Sequence, residues 1–129
     1  MPVTHMNSKV AAYQQVAAHG SVAAADPQRL ITLLLDGALT RIAEARGCLQ
    51  RAAREEKTNH LRRALAIVTE LRACLALEHG ELPANLDRLY EFVERQLLRA
   101  HTDSSAHLLD DASGVLNEIR AAWILLPRR

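Results

Sequence analysis

The apolar positions of this chain recur every three or four residues, which is the spacing of one face of an α-helix. The longest pattern starts at Asp26–Pro27, a favoured N-cap followed by a residue suited to the first helical position. It predicts a helix from Pro27 to Ala53. Because residues 26–42 are apolar on most sides, we expect this helix at the centre of a bundle. Gly37 lies inside it at a cost of roughly 1 kcal/mol against Ala, and we expect another backbone to approach closely there.

Three more amphipathic patterns follow, separated by short polar breaks. They predict helices over residues 59–78, 83–100 and 105–125. Thr58 or Asn59 can cap the second helix, so the charged residues 54–57 are expected to lie before it. Gly80 supplies a stop signal for that helix. Ser104 or Ser105 can cap the last one.

A short amphipathic pattern precedes the long helices. Val10, Tyr13 and Val16 are spaced for one helical face, which predicts a small helix over residues 9–18. So short a helix is marginal alone and must dock to persist. It can pack permanently, or it can dock reversibly over a groove that another molecule also uses. Residues 1–8 carry no pattern and are predicted to be disordered, so the domain is expected to span residues 9–126.

Composition supports helices throughout. Apolar residues make up 49% of the 129 positions, aromatic residues only 3%, and alanine with leucine fills a third of the chain. Alanine and leucine are strong helix formers, and strand-favouring residues are scarce. Short loops favour antiparallel neighbours. The predicted fold is therefore all-α, an antiparallel up-down-up-down four-helix bundle with a short extra N-terminal helix.

Charge and cysteine content exclude several classes of partner. The net charge is +1, with the two signs interspersed, which argues against nucleic acid as a partner. The sequence has no apolar run long enough for membrane insertion and no secretory signal. Cys48 and Cys74 lie in helical patterns and are expected to be reduced, half-buried small residues. These features predict a cytoplasmic protein.

The sequence offers little support for catalysis. The pairs His107–Asp111 and Glu56–His60 are each one turn apart, but two ligands do not close a metal site. The paired acids fit outer helix faces. We therefore expect no enzyme, no metal and no cofactor. The alternatives are a signalling bundle such as a histidine phosphotransfer domain, with His60 as its candidate, and a purely structural dimerisation bundle.

Five stretches in series carry a family resemblance. Val10, Tyr13 and Val16 come first, and the others are ADPQRLITLLLDGAL at 25–39, ALAIVTELRACL at 64–75, NLDRLYEFV at 85–93 and VLNEIRAAW at 115–123. Their order and spacing resemble the flagellar secretion chaperone FliS family over nearly the whole chain. Two departures are Leu35, where the family commonly has an aromatic residue, and Pro83, where it usually has alanine.

The resemblance implies a non-enzymatic export chaperone. Such a protein binds the disordered C-terminal segment of flagellin, prevents its premature polymerisation and delivers it to a flagellar export gate component. A monomer or weak homodimer is expected. The resemblance gives Val10 and Tyr13 a part in binding. The full set of candidate flagellin-binding residues is Val10, Tyr13, Val16, Leu33, Leu35, Leu86, Leu89, Tyr90 and Val93.

Overall fold

The computed structural model describes residues 27–75 and 82–126, and the elements in that part of the chain are α-helices. They are α1 (Pro27–Gln50), α2 (Arg54–Cys74), α3 (Leu82–Thr102) and α4 (Ala106–Ile124). The all-α helical bundle is thus confirmed. The predicted small helix over 9–18, the disordered N-terminus and the Gly80 stop lie outside the described residues.

The four helices form a closed ring in which α1 packs on α2, α2 on α3, α3 on α4 and α4 on α1. Ion pairs Arg46–Asp110 and Asp36–Arg120 place each end of α1 beside the opposite end of α4, so these two helices are antiparallel. The expected central position of α1 is wrong, because α1 occupies one corner of the ring. Its surplus apolar positions, such as Leu33, are half-buried.

One continuous hydrophobic core lies inside the ring, and every helix contributes to it. Its members follow the three-and-four spacing that the sequence shows, because that spacing keeps one stripe of each helix facing inward. The largest fully buried side chains are Tyr90, Leu34, Leu35, Ile42, Leu71, Leu97, Leu109 and Leu116.

The turn between α1 and α2 explains where α1 stops. The Ala53 N–H donates to the Cys48 carbonyl at 2.9 Å and the Ala52 N–H to the Leu49 carbonyl at 3.3 Å. This pair of bonds is a Schellman motif, whose C′ residue is left-handed. That residue is Ala52, with φ 56°. Glycine usually fills this position, so the stop at Gln50 carries no glycine signal in the sequence.

The predicted start of α2 at Asn59 is wrong, because the helix begins at Arg54. Neither Thr58 nor Asn59 caps it. Ala53 is the N-cap residue and makes no side-chain capping bond. Glu55 and Glu56 instead occupy the first turn, where negative charge is favourable beside the positive end of the helix dipole. The helix ends at Cys74 rather than at the predicted Glu78.

A buried lysine ties the start of α2 to the loop between α3 and α4. Lys57 is only 4% exposed, and its Nζ donates to the Ser104 Oγ at 3.1 Å. Ser105 is the N-cap of α4, as one of the two predicted positions, although its side chain makes no capping bond. The loop is therefore fixed by a contact between distant elements rather than by its own cap.

The opposite end of the bundle is joined by the single tryptophan. Trp123 is half-buried against the core, and its Nε1 donates to the Gln28 carbonyl at 3.0 Å. The Gln28 side chain in turn donates to the Leu126 carbonyl at 3.4 Å. These bonds hold the end of α4 against the start of α1.

Two glycines, Gly37 and Gly47, lie inside α1. A Cβ on Gly47 would meet only the Arg51 guanidinium, at an ordinary 3.5 Å, so no backbone packs closely there. Gly37 is half-buried, and close packing at this position stays a prediction.

Cys48 and Cys74 carry free thiols, the first of them buried rather than half-buried. Of the helices in the described part of the chain, none combines the length and apolarity needed to cross a bilayer.

Candidate functional site

The residues proposed for partner binding fall into three groups. Val10, Tyr13 and Val16 lie outside the described residues. Leu35, Leu86, Tyr90 and Val93 are buried in the core, each at 8% exposure or less. Leu33 is half-buried on α1 and Leu89 is 40% exposed on α3. Of the six that the structure describes, Leu33 and Leu89 therefore offer the most apolar surface to another molecule, and the binding role of the whole set stays a prediction.

Tyr90 is one of the predicted binding residues that lie inside the core. Burial raises the pKa of its phenol well above the ordinary value of 10, and the neighbouring Cys74 adds to the rise. A neutral, enclosed tyrosine holds α3 on the core. The apolar stripe of α3 includes both such residues and surface residues, and periodicity alone did not separate them.

Surface apolar side chains in the described part of the chain concentrate on α3 and at the end of α4. Five large ones are exposed by more than a third: Leu89, Leu98, Ile124, Leu125 and Leu126. Leu125 is the most exposed, at 83%. Leu89 and Leu98 are nine residues apart, which is two and a half helical turns, so they lie on opposite flanks of α3. Only one of them can border the junction with α4.

The register between α3 and α4 identifies Leu89 as that residue. Gln96 donates to the Asp111 carboxylate at 3.1 Å across the two helices. In an antiparallel pair, Phe92 is one turn before Gln96 and is therefore level with Val115, one turn after Asp111. Leu89 follows on the same flank as Phe92, at the spacing of helical neighbours.

These positions form an apolar strip along the junction of α3 and α4, which we call the α3–α4 groove. Phe92 and Val115 are half-buried against the core and form its floor. Leu89 on α3 and Ala122 on α4 are exposed along its sides. Leu125, one turn beyond Ala122 on the same side of α4, extends it. Leu89 was predicted from the sequence and the other four were not, because the faces of α3 and α4 that meet depend on their register, which the bond from Gln96 to Asp111 marks.

The surface of the junction between α2 and α3 carries ion pairs, unlike the apolar junction between α3 and α4. Arg72 on α2 donates to Asp87 at 2.6 Å, to Glu94 at 2.7 Å and to Glu91 at 3.3 Å. Thr69 donates to the second Glu94 oxygen at 2.9 Å. The hydrogen bond from Arg72 lowers the pKa of Asp87, and the pKa of Arg72 is raised in turn.

The paired acids of the sequence also make bonds between helices. Glu91 and Glu94 both reach across to Arg72 on α2. Asp110 reaches Arg46 on α1 at 2.7 Å, and that hydrogen bond lowers the pKa of Asp110. The sequence showed the charges but not their partners, because partners on other helices are set by the packing.

The histidine considered for phosphotransfer is tied to another helix. His60 lies seven residues into α2 and is largely enclosed, with Nε2 at 3.2 Å from Glu44 and Nδ1 at 3.3 Å from Arg41, both on α1. Phosphotransfer needs an open ring nitrogen, and here Glu44 lies against Nε2 while Arg41 lies against Nδ1. The geometry of His60 therefore argues against that alternative.

The two candidate metal pairs resolve into ordinary contacts. His107 Nε2 lies 3.5 Å from Asp111, while Glu56 pairs with Arg51 at 3.4 Å rather than with His60. Within residues 27–75 and 82–126, no three His, Cys, Asp or Glu side chains gather as a metal ion would require. What the described surface offers is an apolar groove and a set of unneutralised charges, which suits binding to another polypeptide.

Comparison with known proteins gives a consistent family. The family model for flagellar protein FliS matches residues 9–128. Flagellar secretion chaperone FliSB of Pseudomonas aeruginosa is 43% identical over 112 residues, covering 86% of this chain and 89% of its own. Flagellar secretion chaperone FliS of Vibrio cholerae is 32% identical, covering 95% and 90%. The chaperone of the same name in Salmonella typhimurium is 35% identical, covering 90% and 87%.

Proposed function

Since this chain belongs to the FliS family of flagellar secretion chaperones, we propose that it binds the C-terminal segment of flagellin in the cytoplasm. Binding would keep that segment from polymerising early and would present flagellin to a component of the flagellar export gate. The observation that carries the proposal is the family match over residues 9–128, which spans the entire bundle. The names of the relatives imply a chaperone rather than an enzyme.

The α3–α4 groove supports the proposal physically. An amphipathic helix binds by laying an apolar face into such a groove, and Leu89, Phe92 and Val115 supply apolar surface in a row. A disordered segment loses conformational entropy when it folds on binding, so it needs a large apolar contact area in return. Leu125 at 83% exposure lengthens the available surface.

Val10, Tyr13 and Val16 belong to the same proposal. The N-terminal segment would lie over a surface that cargo also uses, and Leu33 would border it from α1, where it is half-buried. Leu35, with no exposure at all, would act by shaping α1 from beneath. Leu86, Tyr90 and Val93 would act in the same way under α3.

The proposal is tested by adding a flagellin C-terminal peptide to the full chain. We expect a complex of about one to one by isothermal titration calorimetry, with a gain of helix by circular dichroism. The matched variants are Leu89→Ser in the groove and Leu98→Ser on the opposite flank. Burying a whole leucine contributes about 1.5–3 kcal/mol, and Leu89 has 40% of its surface left to bury, so Leu89→Ser should weaken binding about threefold to eightfold, whereas Leu98→Ser should change it less than twofold.

The possible results test separately the identity of the cargo, its binding site and the role of the N-terminal segment. Absence of binding and of any helicity change would refute flagellin as the cargo. Equal losses from both leucine variants would leave flagellin as cargo but remove the α3–α4 groove as its site. Tyr13→Ala should weaken the complex while leaving the melting temperature nearly unchanged. An equal loss of both would mean that the N-terminal segment packs permanently as part of the fold.

A further inference from the structure

The arginines of this bundle differ in whether a carboxylate on another helix neutralises their charge. Arg46, Arg72 and Arg120 each make a short contact with a carboxylate on a neighbouring helix. They are structural, because they join pairs of helices in the ring. The exposed arginines of α3 make no comparable bond across helices within the described residues.

Three arginines on α3 keep most of their charge unneutralised. Arg88 is exposed and has no ion pair or hydrogen bond to any described residue. Arg95 lies 3.9 Å from Glu91 with 66% of its side chain exposed, and Glu91 already accepts a bond from Arg72. Arg99 donates to the neutral amide of Gln96 at 3.3 Å. Exposed pairs as long as that of Arg95 contribute little.

The same three residues lie along one border of the α3–α4 groove. They are spaced by seven and four residues, which keeps them on one face of the helix. Phe92, on the groove floor, comes four residues after Arg88 and three before Arg95, so the arginines lie beside the floor on its α3 side. We call them the arginine row. The opposite border on α4 carries exposed Glu118, so the two sides of the groove have opposite charge.

We propose that the arginine row binds acidic side chains of the cargo, so that the groove selects an amphipathic helix with Asp or Glu along the edge that faces α3. This inference rests on the proposed function and specifies the chemistry of its partner. The guanidinium group suits the task, because its fixed fork of donors matches a carboxylate in two parallel bonds. Glu118 on the other border disfavours the reversed placement, in which acids would face α4.

The row should act mainly on the speed and the salt dependence of binding. Charges at the border of an interface steer encounter and fix register more than they add affinity. Salt screens such steering over about 10 Å at 0.1 M ionic strength. The apolar floor supplies contact, and the arginine row supplies the preference for one orientation of the cargo helix.

The test compares two double charge reversals by stopped-flow binding of a flagellin C-terminal peptide to the full chain. Arg88→Glu with Arg95→Glu should lower the association rate about tenfold at low salt and flatten its salt dependence. The control is Arg62→Glu with Arg63→Glu. These residues are exposed on α2, they too lack ion pairs in the described part of the chain, and the net charge changes by the same amount. The control should alter the rate less than twofold at the same low salt concentration.

A reciprocal experiment changes the cargo. Replacing the acidic residues of the peptide by Asn and Gln should slow its association with the wild-type chain to about the rate of the arginine-reversed variant. Equal effects of the two double reversals would overturn the inference, because they would show a general charge effect. Undiminished association of the amide peptide would overturn it too. Both results leave flagellin binding itself intact, whereas no binding to the wild-type chain would refute the proposed function.

Discussion

The substitution Ala52→Gly should stabilise the protein. Ala52 is held at φ 56° in the Schellman motif that ends α1, where a Cβ lies too close to the backbone. That conformation costs a residue other than glycine roughly 1–2 kcal/mol. Glycine removes the clash but adds freedom to the unfolded chain, which costs about 0.5–1 kcal/mol. We therefore expect a net gain of about 0.5–1 kcal/mol in the free energy of unfolding.

Urea denaturation followed by circular dichroism measures this gain. With a slope of about 1–3 kcal/mol per molar for a protein of this size, the unfolding midpoint should rise by roughly 0.2–1 M at an unchanged slope. The melting temperature should rise by about 2–4 °C. Because Ala52 is exposed and outside the core, repacking should not obscure the effect.

Ala43→Gly provides the matched control. Ala43 is exposed in the middle of α1, where the same change should destabilise by about 1 kcal/mol. The same substitution of alanine by glycine should thus raise the free energy of unfolding at position 52 and lower it at position 43. Destabilisation at both positions, or no effect at Ala52, would refute the argument from the left-handed turn.

Two further perturbations report on the contacts between helices. Asp87 and Asp110 have pKa values lowered below the ordinary 3.8, so their contribution is present above about pH 4 and is lost as pH falls through the lowered values. Urea midpoints measured from pH 7 to pH 2 should therefore drop at the acid end, and Arg72→Gln should remove part of that drop. An unchanged pH profile would contradict the role of Asp87. Trp123→Phe should lower stability by about 0.5–1.5 kcal/mol, since one hydrogen bond is lost while Thr32 Oγ1 still donates to the Gln28 carbonyl, and a loss near zero would contradict the role of the Trp123 bond.

How much of the fold the sequence predicted depends on the kind of signal each element carries. The positions of α1, α3 and α4 follow from apolar periodicity and from Ser105, and the structure confirms them within a few residues. The start of α2 was missed because its first turn is charged, and because its N-cap, Ala53, offers no capping side chain. Ala52 gives no glycine signal either, so the sequence indicated neither the end of α1 nor the start of α2.

The candidate site was harder to predict for a related reason. Leu86, Leu89, Tyr90 and Val93 share one apolar stripe, yet only Leu89 is exposed. Periodicity reports that a face is apolar and not what covers it. Phe92 and Val115 lie at one level because of the register of α3 on α4, which the bond from Gln96 to Asp111 marks.

The sequence by itself determined that this protein is a set of amphipathic helices, and the five stretches in their order were enough to indicate its family. Those properties are local, since periodicity, caps and helix formers act within a few turns. Only the tertiary structure decided that α1 is a corner of the ring, that Arg72 closes the α2–α3 junction and that an apolar groove borders the arginine row. Each of these depends on register between helices far apart in the chain, and register is fixed by packing and by paired charges rather than by any one segment.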